Sequence, residues 1–202
     1  SGASLKKHRP EILALGGANG NADLISHVNG LKETTSLKAN GQAGVGKGIY
    51  VGSSGELLGL DGAWVGNITE VIVFDKLLSD AEIQKINSYL AIKYGQTLAG
   101  GTDYKSSAGT TIWSDDAYQN NIVGIGRDDE SGLSQIKSKS TLDDALVTLD
   151  NGAAFSADQS FLVCGHNGES KSYGVVVGDR ILMNRVWKVS ETGTVGNVIV
   201  SV

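Results

Sequence analysis

The sequence predicts a mostly β protein, an antiparallel, jelly-roll-like β-sandwich with one amphipathic α-helix. Its 202 residues include 28 glycines and one proline, a composition typical of short strands joined by many tight turns. Runs of β-branched residues recur between turn residues, while helical periodicity is clear in one segment, residues 80–94. With 40% hydrophobic and 19% charged residues, the chain has the composition of a folded protein.

The first third of the chain predicts an antiparallel meander. Strands are expected at Glu11–Leu15, Asp23–Val28 and Leu31–Leu37. Between the last two stands Asn29-Gly30, the strongest two-residue hairpin signal.

Two further strands are predicted before the helix. Ile49–Val51 is the first, and Ile68–Phe74 is the strongest strand pattern in the chain because it is β-branched and ends in an aromatic residue. We expect Ile68–Phe74 at the centre of a sheet, buried on at least one face.

The helix is bounded by recognisable caps. Ser79 and Glu82 match a capping box, and Gly95 is placed to end the helix. A stripe at helical spacing is expected to pack on the core, with Gln84, Lys85 and Asn87 pointing elsewhere. The stripe comprises Ile83, Ile86, Leu90 and Tyr94.

The remainder predicts a second all-β unit packed against the first. The expected units are residues 1–98, a lectin-like sandwich portion ending in helix 80–94, and residues 99–202. The strands expected in the second unit are Asn121–Ile125, Gln135–Lys137, Leu146–Leu149, Phe161–Cys164, Val186–Val189 and Val198–Val202.

Charge and apolar patterning exclude several partners. The formal charge is -5 and the basic residues are scattered, which argues against nucleic acid. No apolar run is long enough to insert directly into a membrane. Cys164 is the one cysteine and lies in an apolar strand, so we expect a buried small hydrophobe and no disulfide.

The motifs that suggest catalysis are incomplete, and no catalytic residue is predicted. Gly41–Lys47 resembles a phosphate-binding loop, but Gly48 stands where a hydroxyl must hold magnesium. Ser134 and Lys137 have a penicillin-enzyme spacing in a segment that alternates like a strand.

An acidic, amide-rich stretch from Asp115 to Glu130 predicts either a calcium site or a solvated loop, since calcium takes carboxylate and carbonyl oxygens. The candidate calcium ligands are Asp115, Asp116, Asn120, Asp128, Asp129 and Glu130.

Four nearby residues are candidates for ligand binding: Trp113, Tyr118, Asn121 and Arg127. Trp113 or Tyr118 would act as an exposed aromatic. Arg127 could pair a ligand carboxylate, although a structural salt bridge to Asp128 or Asp129 is favoured.

Two blocks of sequence carry a family resemblance. Residues 67–82 and 88–95 resemble the closing strand and helix of concanavalin/laminin-G-like jelly rolls in large bacterial surface proteins and adhesins. Blocks at 113–115, 122–129, 161–168 and 184–189 resemble the uncharacterised β-rich domain that often follows. The resemblance implies that the front strands of the jelly roll are missing or rebuilt.

The expected function is a non-catalytic adhesion module of a secreted or cell-surface bacterial protein. It would bind an extracellular glycan or peptide, with calcium as the candidate cofactor, and contact neighbouring domains of the same long chain. A structural spacer and a glycoside hydrolase-associated domain are the alternatives.

Overall fold

The computed structural model describes residues 9–17, 23–33, 37–38, 65–114 and 116–202. In these ranges the protein is mostly β, with antiparallel sheets and one α-helix, as predicted. No helix in them has the length and apolar content needed to cross a membrane. The predicted strand Ile49–Val51 and the loop Gly41–Lys47 lie outside the described residues.

The N-terminal meander is built around one strand, β2, with which the other three pair. The turn after β2 has φ 50° at Asn29 and φ 84° at Gly30, the type I′ geometry that Asn-Gly favours, so the predicted hairpin is confirmed. The four strands are β1 (Leu13–Gly16), β2 (Asp23–Val28), β3 (Leu31–Lys32) and β4 (Leu37–Lys38).

Helix α1 spans Asp80–Tyr94, which are the residues predicted. The Glu82 amide donates to Ser79 Oγ at 3.3 Å, and the Ser79 amide donates to the Glu82 carboxylate at 2.8 Å. Gly95 ends the helix in the left-handed conformation, with φ 61°. Because both caps are local, the sequence alone determines the limits of α1.

The buried face of α1 differs from the predicted stripe. Asn87 is 2% exposed, so the prediction that it points away from the core is wrong. Ile86, Leu90 and Tyr94 are half-buried. The apolar pattern is ambiguous because α1 contacts the β-sheet on one side and the 65–79 segment on another. The buried residues are Ile83, Asn87, Ser88, Ala91 and Ile92.

Eleven strands follow α1 in the described residues. They are β5 (Tyr104–Lys105), β6 (Thr111–Trp113), β7 (Asn120–Asp128), β8 (Leu133–Gln135), β9 (Lys137–Lys139), β10 (Thr148–Asp150), β11 (Ser160–His166), β12 (Tyr173–Val177), β13 (Arg180–Met183), β14 (Trp187–Thr192) and β15 (Ile199–Ser201). Of these, β5, β6, β12 and β13 are absent from the sequence-based prediction. A short 3-10 helix, Asp116–Tyr118, precedes β7.

A four-stranded sheet, in the order β14–β11–β7–β8, forms the centre of the C-terminal part. On one face, Phe161 and Val163 belong to a core cluster with Ile92 of α1. On the other, Leu162 belongs to a cluster with Leu149 of the sheet β15–β10–β9. The central sheet therefore lies between α1 and a second sheet, which is a sandwich arrangement.

The segment Ile68–Phe74 is not a strand, so the prediction of a central, buried strand is wrong. Its large apolar side chains, Ile68, Val71, Ile72, Val73 and Phe74, are between 41% and 57% exposed. The segment contains the residues of a strand, but strand pairing also needs a neighbour, and none is paired with it among the described residues. A high β-propensity of the segment does not by itself provide a neighbouring strand for it to pair with.

Candidate functional site

A cavity of about 620 Å³ lies between residues 70–78, helix α1 and the end of the central sheet. Alternate residues Ile72 and Phe74 line it, whereas Val73 does not and is 57% exposed. From the central sheet, Leu133 of β8 and Phe161 of β11 contribute apolar surface. A concave, mostly apolar space of this size is typical of a ligand site.

Glu70 attaches the 65–79 segment to α1 at one edge of the cavity. Its carboxylate accepts hydrogen bonds from Tyr89 Oη at 3.1 Å, Lys93 Nζ at 3.0 Å and Tyr94 Oη at 2.8 Å. Desolvation opposes ionisation of Glu70, but these hydrogen bonds outweigh it and lower the pKa of the carboxyl. Glu70 therefore serves as an anchor, with its acceptor capacity largely used.

Asp128, a candidate calcium ligand, is 2% exposed and is held by protein donors. Its carboxylate accepts from the Ser107 amide at 2.8 Å and from Gln159 Nε2 at 2.9 Å, and Ser107 Oγ donates to it as well. These contacts join the β5–β6 loop and the residue 159 loop to the end of β7. The carboxylate oxygens are thus already hydrogen-bonded within the fold.

Arg127 and Asp129 form the structural salt bridge that the sequence favours. Arg127 Nε and Nη2 donate to the two Asp129 oxygens at 2.7 and 2.8 Å. The pKa of Asp129 is lowered mainly by this hydrogen bonding. Glu130 lines the cavity, and no protein partner contacts its carboxylate among the described residues.

The predicted calcium ligands do not converge on one point. Asn120 and Asp128 begin and end β7, which places them roughly 25 Å apart at the rise of an extended strand. Asp115 lies outside the described residues, as does the side chain of Asp116. No group of three or more His, Cys, Asp and Glu side chains that could hold a metal is found in the described part of the chain.

Trp113 is not the exposed aromatic that was expected. It is 2% exposed and belongs to the core cluster on the α1 side of the central sheet. A Cβ at Gly165 would lie 3.0 Å from its Cζ2, so the indole packs directly on the β11 backbone. Tyr118 is half-buried against the same cluster. The sequence-based prediction does not include β6, the strand from which Trp113 enters this core cluster.

Asn121 occupies a β-bulge opposite Gly165. The register between β7 and β11 shifts at this point, and Asn121 has φ 49°. Bulges redirect side chains, and Asn121 Nδ2 donates to Asp144 Oδ1 at 2.6 Å. Asp144 also accepts from Arg185 Nη2 at 2.8 Å. The hydrogen bond from Asn121, followed by that from Arg185, lowers the pKa of Asp144.

His166 and Cys164 lie on β11, inside the protein. Burial lowers the pKa of His166, and the Arg185 guanidinium lowers it further. His166 Nδ1 accepts from the Gly168 amide at 2.9 Å, and His166 Nε2 is buried without a hydrogen-bond partner in the described residues. Cys164 is 1% exposed, and desolvation raises its pKa to about 11, which suits the predicted packing role.

Sequence reasoning missed the cavity because its walls come from distant parts of the chain. The period-two alternation of Glu70, Ile72 and Phe74 is the signal that was present, but it was assigned to sheet burial. Lys85 is predicted to point away from the apolar stripe of α1, and it lines the cavity. Arg185 carried no signal on its own, since its partner Asp144 is 41 residues away.

A comparison with protein families matches residues 82–202 to a family described as Domain of unknown function (DUF8202). Neither the curated proteins nor the solved structures include a match to this chain. The matched region begins inside α1 and continues through β15, so it contains most of the helix together with both sheets of the sandwich. Because the match covers more than half of its length, the chain belongs to the DUF8202 domain family.

Proposed function

We propose that the chain is a non-catalytic recognition module of a larger secreted or cell-surface bacterial protein, and that it binds an extracellular glycan or peptide. The observation that carries the proposal is the cavity of about 620 Å³ beside α1. Its volume is within the range of sites for small molecules or a few residues of a polymer, and its floor is apolar.

The state of the charged groups around the cavity supports binding in preference to catalysis. Lys76 and Glu82 pair at 2.6 Å, and Lys105 pairs with Asp103 at 3.1 Å. General acid–base chemistry needs a group free to exchange a proton with the substrate. Lys76, Glu82 and Lys105 are committed to protein partners instead, and the two lining charges without a partner in the described residues, Lys85 and Glu130, form no acid–base pair with a third group there.

The family resemblance of residues 67–82 and 88–95 supports the adhesin context and the extracellular location. A structural spacer is the competing function, because the same sandwich could separate neighbouring domains without binding anything. The two functions differ in one measurable property, which is ligand binding at the cavity.

The binding function is tested by filling the cavity. Ile72→Trp places an indole on the lining, and Val73→Trp places the same side chain on the adjacent, non-lining residue. On arrays of glycans and short peptides, we expect the unmodified chain to bind. Ile72→Trp should weaken that binding at least roughly tenfold, and Val73→Trp should leave it unchanged. Blank arrays with folded protein would favour the spacer.

Calcium dependence stays a prediction. Of the described candidate ligands, Glu130 retains a carboxylate without a protein partner. Extracellular calcium modules bind with dissociation constants of about 0.1–1 mM. If the tightest of these applies, 10 mM calcium should stabilise the fold by about 2.7 kcal/mol, a rise of roughly 5–10 °C in the melting temperature. An unchanged melting temperature and no heat of calcium binding by calorimetry would contradict it.

A further inference from the structure

Two charged residues at the cavity differ from the others because nothing in the described part of the chain pairs with them. Seven charged residues line the cavity. Glu70, Lys76, Glu82, Lys105 and Asp128 have ion-pair or hydrogen-bond partners. Lys85 on α1 and Glu130 in the β7–β8 turn have none. The cavity thus presents one available cation and one available anion beside an apolar floor.

The uncharged polar groups of the lining are occupied. Ser88 Oγ donates to the Gln84 carbonyl at 2.7 Å and accepts from the Lys105 amide at 2.9 Å. Ser107 Oγ donates to Asp128. A glycan requires many hydrogen-bonding groups for its hydroxyls, and a site that leaves polar groups unpaired loses affinity. This lining therefore suits a ligand with an apolar body and separate charges.

From these features we infer that the cavity binds a peptide segment whose large apolar side chain enters between Ile72 and Leu133, with a flanking acidic residue paired to Lys85 and a flanking basic residue paired to Glu130. This inference rests on the proposed binding function and narrows its ligand to a polypeptide. Burial of the apolar side chain supplies most of the affinity. The two charges select the sequence around it, because exposed ion pairs contribute little energy but oppose the wrong partner.

Because one charge of each sign is available at the cavity, reversing either charge should change which peptide charges the cavity prefers. Lys85→Glu leaves two unpaired anions at the cavity and Glu130→Lys leaves two unpaired cations, and neither residue takes part in an ion pair with another described residue. The apolar floor is the same in both variants. Each variant should therefore bind peptides, but with a different charge preference.

The test uses three blocked peptides with a central phenylalanine. In the first the flanking residues are one glutamate and one lysine, in the second two lysines, and in the third two glutamates. Binding is measured by calorimetry and by amide chemical shifts of the full chain. The unmodified chain should prefer the mixed peptide, Lys85→Glu the two-lysine peptide, and Glu130→Lys the two-glutamate peptide. Each preference should be roughly twofold to fivefold, the range of an exposed ion pair.

The outcomes separate the ligand class from the binding function. The same order of peptide affinities in all three proteins would overturn the inference. Binding of glycans that Ile72→Trp abolishes, without binding of any peptide, would also overturn it while the proposed function stands. Amide chemical shifts of the cavity residues that change as the protein concentration is raised, with no peptide present, would identify a second copy of the chain as the occupant. That result would reject the peptide. Absence of all binding would reject the proposed function as well.

Discussion

Alanine in place of Asp128 is expected to lower the free energy of unfolding by about 3 kcal/mol, since hydrogen bonds to a charged group contribute roughly 1.5–3 kcal/mol each and are not additive. The variant loses the contacts from Ser107 and Gln159. It also leaves those half-buried donors without their acceptor. For a chain of this length, the melting temperature should fall by roughly 6–12 °C, measured by circular dichroism.

Asp129 provides the matched control, because it is the next residue and also a hydrogen-bonded aspartate. Its partner is Arg127 on the surface, and both side chains are at least one-third exposed. Asp129→Ala should therefore change the melting temperature far less than Asp128→Ala. Equal losses from the two variants would show that the Asp128 network contributes no more than a surface ion pair.

Local signals in the sequence were sufficient for the elements whose geometry is decided within a few residues. The Asn29-Gly30 turn and the caps of α1 are of this kind, because their hydrogen bonds close over three or four positions. The salt bridge of Arg127 with Asp129 is also predicted, and its two residues are two positions apart at the end of β7. In each case the relevant partner is close in sequence.

The failures occurred where the partner is distant. Ile68–Phe74 has strand-forming residues, but the sequence does not specify which segment should lie beside it. The buried face of α1 could not be chosen while both the sheet and the 65–79 segment remained possible contacts. The β12–β13 hairpin is a different failure, since its Gly178-Asp179 turn is a local, two-residue hairpin signal.

The sequence predicts which kinds of residue are present in the candidate site, but not where the fold places them. The acidic and amide residues from 115 to 130 are predicted to form one site, but β7 separates the residues at its two ends. Asn121 reaches Asp144 only because a bulge turns its side chain, and a bulge depends on the register of two strands. The cavity also needs residues 70–78, α1 and the end of the central sheet to come together, an arrangement that no local pattern encodes.

Gly165 is where the packing around that bulge is tightest. A Cβ at this position would lie 2.2 Å from the Tyr118 carbonyl oxygen and 2.4 Å from Ile122 Cδ1. The first neighbour is backbone and cannot move without displacing the segment before β7. Gly165→Ala should therefore destabilise the fold by about 3 kcal/mol, at the upper end of the cost of overpacking.

Gly100 offers the control for Gly165→Ala. A Cβ at Gly100 meets no atom within 4 Å, and its φ is not in the left-handed region. Gly100→Ala should stabilise the protein by about 0.5 kcal/mol, because alanine restricts the unfolded chain more than glycine does. Thermal unfolding of the two variants should thus shift in opposite directions. If Gly165→Ala has the same melting temperature as the unmodified chain, β11 does not pack tightly against Tyr118 and Trp113. The close packing that accompanies the bulge at Asn121 would then be contradicted.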